Sequence, residues 1–362
     1  MDVYIYIYIL FLMGLFLTKK KRYYYILFLG AVLLFLGVFR SDTVGTDINP
    51  KAWYYRNWFW SDWNPSTWNR GTPFEPGFNI YMVCLKSLWP NYHFFYGTTF
   101  LLSFLSISYF LRKYSKDLYL SAFILYTLFV YCFMFNIVRQ MFAASLCLIV
   151  LHFYLSKKLK VAYYIIGIIG ISLLFHKSNI IFAIIPILEK LSQVNVNKFI
   201  IYILCALSII LFINTSYLTP YITAYSHFLG ERYSMYIDWG QQAQISYSVR
   251  EMLLYLLIVA TTTFFHKGNH FSTLFWFFTI LTLLRGAFIN IFFIFGRFSC
   301  FSFLAFSIVF ADTSISLNNN KKKKFIYLLL IISMSTIIFF DALSKNYSEV
   351  IPYKNTLFQT SH

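Results

Sequence analysis

Apolar residues run along this chain in long blocks instead of alternating with polar ones. The blocks fall at 2–18, 23–39, 92–111, 117–137, 138–155, 161–177, 178–191, 198–214, 249–265, 271–289, 291–311 and 325–341. A run near 20 residues is the length of a helix that crosses bilayer hydrocarbon. The pattern predicts an all-α polytopic integral membrane protein of about twelve transmembrane helices. Block 178–191 is short for a crossing, and Pro186 lies within it as a candidate kink. A further apolar stretch, 76–90, holds Lys86 and ends at Trp89 and Pro90, which suits a re-entrant or interfacial segment.

Two larger segments are predicted to face outward from what reads as a single transmembrane domain over 1–362. The first covers 40–91, with 76–90 as its attached segment; the second covers 215–248. The first carries Trp53, Trp58, Trp60, Trp63 and Trp68, and the second carries Tyr217, Tyr221, Tyr225, Tyr233, Tyr236 and Trp239. An interfacial aromatic belt is the plain account. A carbohydrate site would use the same aromatic faces.

Composition agrees with the block pattern. The chain is 59% hydrophobic and 12% charged, with mean hydropathy +0.64. A soluble domain carries roughly 25% charge, so this one could not cover its surface in water. The net charge of +17 would suggest nucleic acid in a soluble protein. Here the charge sits in short runs between apolar blocks, at 19–22, 157–160 and 321–324, and reads as topogenic. The bilayer and its anionic headgroups are the expected neighbours.

Charge also sets the expected sidedness. Placing 19–22 inside also puts 157–160, Lys190, Lys198, Lys267 and 321–324 inside, and Arg112, Lys113 and Lys116 as well provided 76–90 does not cross, against only Asp117, Glu189 and Asp312. Both termini are then outside. The basic cluster at 19–22 follows the first apolar block, which is not the order of a cleavable signal. The five cysteines fall in apolar blocks without CxxC pairs or histidine ligands at metal spacing, so neither a disulfide framework nor a metal site is expected.

Ionisable residues inside membrane helices are costly and tend to mark a site. Arg139, His176, Lys177, Arg285 and Arg297 all fall at or near outer helix ends in this topology. Lys177 can snorkel to the interface. Arg297 lies about two turns into its predicted helix, where snorkelling is harder. In the first outward loop, Arg40 and Asp47 bracket a short turn containing Gly45, and Glu75 stands near the loop's far end.

These residues sit in local patterns that resemble a family. VFRSDTVGTD (38–47), FEPGFNI (74–80), FNIVRQMFA (135–143) and LLFHKSNIIF (173–182) resemble, in order and spacing, the EpsG/Wzy family of bacterial surface-polysaccharide polymerases, which includes O-antigen polymerases. GERYSMY (230–236), IFGRFSC (294–300) and IPYKN (351–355) also fit. The second outward loop matches least. The resemblance implies an enzyme of the cytoplasmic (inner) membrane of a bacterium, working at its outer leaflet with the site facing the periplasm or outside. It would join oligosaccharide repeat units carried on undecaprenyl diphosphate, the growing chain leaving its lipid diphosphate for a sugar hydroxyl of the next unit. A chain-length regulator and a flippase of the same pathway are implied partners.

The chemistry has its own requirements. A departing diphosphate needs cations, and arginine suits phosphate oxygens, so Arg40, Arg139, Arg285 and Arg297 are the candidates. The attacking hydroxyl needs a base or an orienting acceptor, for which His176, Glu75 and Asp47 are the candidates. His176 is also readable as an ordinary hydrogen-bonded helix-end residue. No cofactor beyond the lipid carrier is expected, and the reaction is expected to be metal-independent. A flippase for lipid-linked oligosaccharide, an O-antigen ligase or another outer-face glycosyltransferase are the rival readings. A flippase would need charge along a path through the bilayer, whereas these charges gather at one face.

Overall fold

In a computed structural model of the protein, residues 2–41, 43–45, 74–215, 217, 249–290, 293–346 and 349–357 are described. They form an all-helical membrane protein with no strand among the described residues. Five helices are long and apolar enough to cross a membrane: Lys19–Val38, Tyr92–Tyr114, Val138–Leu155, Phe295–Ser316 and Lys321–Lys345. Helices Leu118–Thr127 and Val130–Asn136 make a sixth if they are one broken span. The break comes at Phe129, whose φ of 67° is left-handed and so interrupts the helical ladder. Helices at Asp2–Gly14, Val161–Leu174, Lys198–Ile213 and Thr273–Phe288 are apolar but shorter.

Two predicted elements differ from the expected form. Block 178–191 is a 3-10 helix, Lys177–Ile184, followed by an α-helix, Ile185–Ser192. Pro186 opens that second helix, where its missing N–H costs nothing, and so it starts an element instead of kinking one. The start of block 291–311 is likewise a 3-10 turn, Phe293–Phe298, before the α-helix Ser299–Ser316. Arg297 therefore lies at the entrance to that helix and not two turns inside it. The stretch 76–90 is a helix, Pro76–Leu88, of 13 residues. At about 1.5 Å per residue it is too short to cross the hydrocarbon.

The chain packs as two compact units. The first contains Met1–Tyr114, Phe129–Pro186 and Phe340–His362. In it, Tyr92–Tyr114 (α1) packs on Val138–Leu155 (α2) and on Lys19–Val38, while Val161–Leu174 (α3) packs on α2 and approaches Pro76–Leu88 (α4). Phe78, Met82, Leu85, Tyr92, Phe95, Tyr96 and Phe142 form an aromatic-rich core, with Phe74, Tyr81 and Phe175 packed against it. Tyr81 stacks on Phe142 at 4.5 Å between centroids.

The second unit contains Ser115–Leu128 and Ile187–Phe339. Helix Ser299–Ser316 lies at its centre: 83% of its membrane-length window is buried, against 22% for Lys19–Val38 in the first unit. A helix apolar on every side is buried by its neighbours, and polar side chains then bond across helices. Ser121 Oγ donates to the Ser307 carbonyl at 2.7 Å. Thr282 and Ser302 hydroxyls meet at 2.6 Å, and Ser208 Oγ donates to the Leu283 carbonyl at 3.0 Å. Side-chain caps begin several helices, with Asp117, Asn197 and Ser272 accepting from Leu120, Phe199 and Phe275 backbone N–H groups.

Candidate functional site

Each residue of FEPGF has a structural task. Phe78 roots α4 in the aromatic core. Pro76 occupies the first helical turn, and Glu75 is the N-cap residue. The Glu75 side chain does not cap its own helix; its Oε2 instead accepts from Arg139 Nη1 at 2.6 Å. Phe74 places its ring under the Arg139 guanidinium, 4.4 Å from the centroid. Gly77 is forced by close packing: a Cβ there would lie 2.7 Å from Leu174 Cβ and 2.8 Å from its carbonyl oxygen.

Arg139 is the second residue of α2. A cation at a helix N-terminus opposes the macrodipole, and the Glu75 carboxylate offsets this. The pair is partly shielded, at 16% side-chain exposure for Arg139 and 9% for Glu75. Oε1 of Glu75 keeps no partner among the described residues, because the Arg139 contact engages only Oε2.

Arg40 follows helix Lys19–Val38 and has 0% exposure. Its guanidinium lies between the rings of Tyr96 at 4.0 Å and Phe135 at 4.2 Å. Its Nε donates to Tyr96 Oη. Nη1 and Nη2 have no hydrogen-bond partner among the described residues. The segment containing IPYKN covers this cation. Ser41 N–H donates to the Lys354 carbonyl and Thr356 N–H to the Phe39 carbonyl, both at 2.8 Å, and Arg40 faces Asn355 in an antiparallel bridge. Tyr353 Oη donates to the Leu36 carbonyl at 2.8 Å. Arg40, expected as a phosphate ligand, is fully enclosed by the protein.

His176 lies between α3 and the 3-10 helix, which it caps. Its Nδ1 is 2.8 Å from Ser178 Oγ and 3.4 Å from Ser178 N. Asn179 ties this turn to α2. Its Nδ2 donates to the carbonyls of His176 and Gln140, each at 3.3 Å. Two carbonyl partners fix the amide orientation, so Asn179 Oδ1 is a buried acceptor with no donor among the described residues. Phe175 packs edge-on against Phe142 at 5.7 Å. Lys177 is exposed, as a snorkelling residue would be.

Three sequence motifs thus converge on the fourth, at residues 135–142. Phe135 holds Arg40, Arg139 holds Glu75, the Gln140 carbonyl holds the His176 turn through Asn179, and Phe142 anchors the aromatic core. Gly45, at φ 102°, lies against the Phe135 carbonyl at a distance only a residue without Cβ allows. Asp47 lies outside the described residues, as do the five tryptophans of the first outward loop and nearly all of 215–248.

The second unit holds its own pair. Arg285 Nη2 lies 2.7 Å from Glu251 Oε1, with side-chain exposures of 5% and 18%. The guanidinium stacks on Tyr255 at 4.1 Å, and Tyr255 Oη donates to the same carboxylate oxygen at 3.3 Å. Arg297 is half-buried, and its carbonyl accepts from Cys300 Sγ. All five cysteines are free thiols. Among the described residues, no group of three or more His, Cys, Asp or Glu could hold a metal ion.

Sequence reasoning named Arg139, Glu75 and His176 but not Glu251, Tyr96, Asn179 or the aromatic partners they meet in the structure. Glu251 had a signal: it is an acid entering an apolar helix, and so needs a cation on a neighbouring one. Tyr96 and Phe135 had none, since aromatic residues are too common in this chain to stand out.

The model of the EpsG family matches residues 23–355. No curated protein and no solved structure matches the chain.

Proposed function

The chain belongs to the EpsG family, and on that premise we propose that it polymerises a bacterial surface polysaccharide. Membership carries a polysaccharide-polymerase-like, glycosyltransferase-type role in general. The finer reading is that it joins oligosaccharide units borne on undecaprenyl diphosphate, at the outer leaflet of the cytoplasmic membrane.

The observation that carries this reading is the Glu75–Arg139 pair at 2.6 Å, set where two other motifs also meet. It supplies both things that glycosyl transfer from a lipid diphosphate needs. Arg139 offers donors to phosphate oxygens as charge develops on the leaving group, a contact whose loss typically costs about 2.7–4 kcal/mol of barrier. Glu75 offers a carboxylate oxygen to the attacking hydroxyl. Arg40 adds positive charge from within the wall. Asn179 Oδ1 is an acceptor suited to a sugar or water hydroxyl. Arg285 and Arg297 are further proposed cations for phosphate, and Asp47 a further proposed acceptor. The reaction is proposed to need no metal; undiminished polymer in chelator is expected, and rescue only by a divalent ion would refute it.

Gene disruption tests the reading. Surface polysaccharide viewed on a gel should collapse from a ladder to a single attached repeat unit, and Arg139→Ala at matched membrane abundance should reproduce that pattern. Loss of all attached sugar would indicate a flippase or ligase and overturn the proposal.

A further inference from the structure

We propose that residues 353–356 are a strap that lifts from Arg40 and lets a phosphate group reach its Nη1 and Nη2. That the phosphate belongs to a lipid diphosphate rests on the proposed reaction; the strap rests on the geometry of the first unit alone. Arg40 is a charged side chain with 0% exposure. The rings of Tyr96 and Phe135 lie against its guanidinium, and Tyr96 Oη accepts from Nε. Nη1 and Nη2 donate to nothing among the described residues. Ring contacts offset part of the cost of burying the charge, but N–H groups without acceptors do not recover theirs. The orphaned edge is also the one that matches two phosphate oxygens at once.

The strap encloses this cation without satisfying it. Arg40 faces Asn355 in an antiparallel bridge, flanked by the bonds from Ser41 N–H to the Lys354 carbonyl and from Thr356 N–H to the Phe39 carbonyl. That pattern makes the two residues a non-hydrogen-bonded pair, whose side chains leave the same face at close range. Tyr353, two residues before Asn355, shares that face and lies within electrostatic range of the Arg40 charge. Both strap side chains spend their oxygens elsewhere. Asn355 Oδ1 accepts from Leu357 N–H at 2.9 Å, and Asn355 Nδ2 donates to Tyr353 Oη at 3.2 Å. Tyr353 Oη itself donates to the Leu36 carbonyl. A permanent seal would turn the Asn355 carbonyl onto Arg40.

The fastening suits a segment that moves. Its root is fixed: Asn346 Nδ2 donates to the Ile351 carbonyl at 2.7 Å, Asn346 Oδ1 accepts from Ile351 N–H at 3.1 Å, and Val350 is fully buried. Beyond the root, the strap is held by hydrogen bonds to Leu36, Phe39 and Ser41, each of modest net worth. Those residues lie at the end of one helix and just after it, so the strap can leave without unpacking a helix pair. Lifting it exchanges these neutral bonds for charge-assisted ones from Nη1 and Nη2 to phosphate oxygens.

Hydrogen exchange read by mass spectrometry, on the full-length protein in phosphatidylcholine nanodiscs, tests this. The N–H groups of Ser41 and Thr356 hold the strap and report its opening. Added undecaprenyl diphosphate should speed exchange in peptides containing them by about tenfold. Phosphatidylglycerol added instead should leave them unchanged; equal speeding by both places the phosphate in bilayer headgroups and overturns the lipid-diphosphate source. Unchanged or slower exchange with both overturns the strap. Arg40→Gln should lose the response, and a full response there overturns Arg40 as the ligand. Asn355→Asp sets a carboxylate beside the orphaned cation and leaves Arg40 in place. It should slow exchange before any lipid is added and blunt the response, and faster exchange in it overturns the proposal. These rates do not depend on polymer: a ladder that survives gene disruption ends the polymerase reading and leaves them standing.

Discussion

Glu75 and Arg139, 64 residues apart in the chain, meet through a 2.6 Å contact between Oε2 and Nη1. Removing Arg139 alone leaves a shielded carboxylate without its cation, which costs about 3 kcal/mol. Removing both charges avoids that cost. Arg139→Ala should therefore lower the unfolding midpoint in detergent more than the Arg139→Ala, Glu75→Gln double variant does. A coupling of about 1–3 kcal/mol is expected from the cycle. Strict additivity would show that the two side chains do not act as a pair.

Arg40→Lys keeps the charge but loses both ring stacks and the Nε bond to Tyr96. A stacked, desolvated cation is worth about 2 kcal/mol or more, and lysine cannot reproduce the planar stack. The variant should unfold at lower temperature by a corresponding amount. An unchanged midpoint would mean that the aromatic walls do not hold the guanidinium.

Gly77→Ala should destabilise by about 1–3 kcal/mol, the usual cost of overpacking. Truncating the Leu174 side chain should not rescue it. The added Cβ would still meet the Leu174 carbonyl oxygen at 2.8 Å, and that oxygen belongs to the backbone. Recovery of wild-type stability in Gly77→Ala, Leu174→Ala would contradict the close approach of the two helices.

Burial pushes the His266 imidazole below its usual range, and nearby Lys198 lowers it further, while the bond from Nε2 to the His270 carbonyl opposes both. The folded protein thus binds this proton less readily than the unfolded chain. The stability that a neutral His266 contributes is fully present above the unfolded value of about 6.5 and declines as pH falls below it, levelling at the depressed folded value. Thermal midpoints of wild type should fall between neutral and mildly acidic pH more steeply than those of His266→Gln. Parallel curves would remove His266 from the account.

The helical membrane architecture was legible because a bilayer imposes one requirement everywhere, an unbroken apolar length. Helices Val138–Leu155 and Val249–Phe265 follow their predicted blocks residue for residue. The 3-10 segments at Lys177–Ile184 and Phe293–Phe298 were not legible, since hydropathy reports burial and not hydrogen-bond period. At the candidate site, ionisable residues stood out against an apolar background, so Arg139, Glu75 and His176 could be named in advance. Their pairing could not. Glu75 with Arg139, or Arg285 with Glu251, is a matter of which helix ends adjoin, and no periodicity encodes that. Asn179 was hidden for another reason: its work is done on two backbone carbonyls, and backbone partners leave no mark in a sequence.

The covering of Arg40 by residues 353–356 has a consequence for the order of biosynthesis. Tyr353 and Thr356 bond to Leu36 and Phe39 across 317 residues of chain. At roughly 5–20 residues per second, the later segment leaves the ribosome on the order of half a minute after the earlier one. During that interval Arg40 exists without its cover, while nearly every helix is being inserted. The enclosure of that cation is therefore a late event of assembly, and a nascent chain halted before residue 353 would still carry Arg40 unsealed.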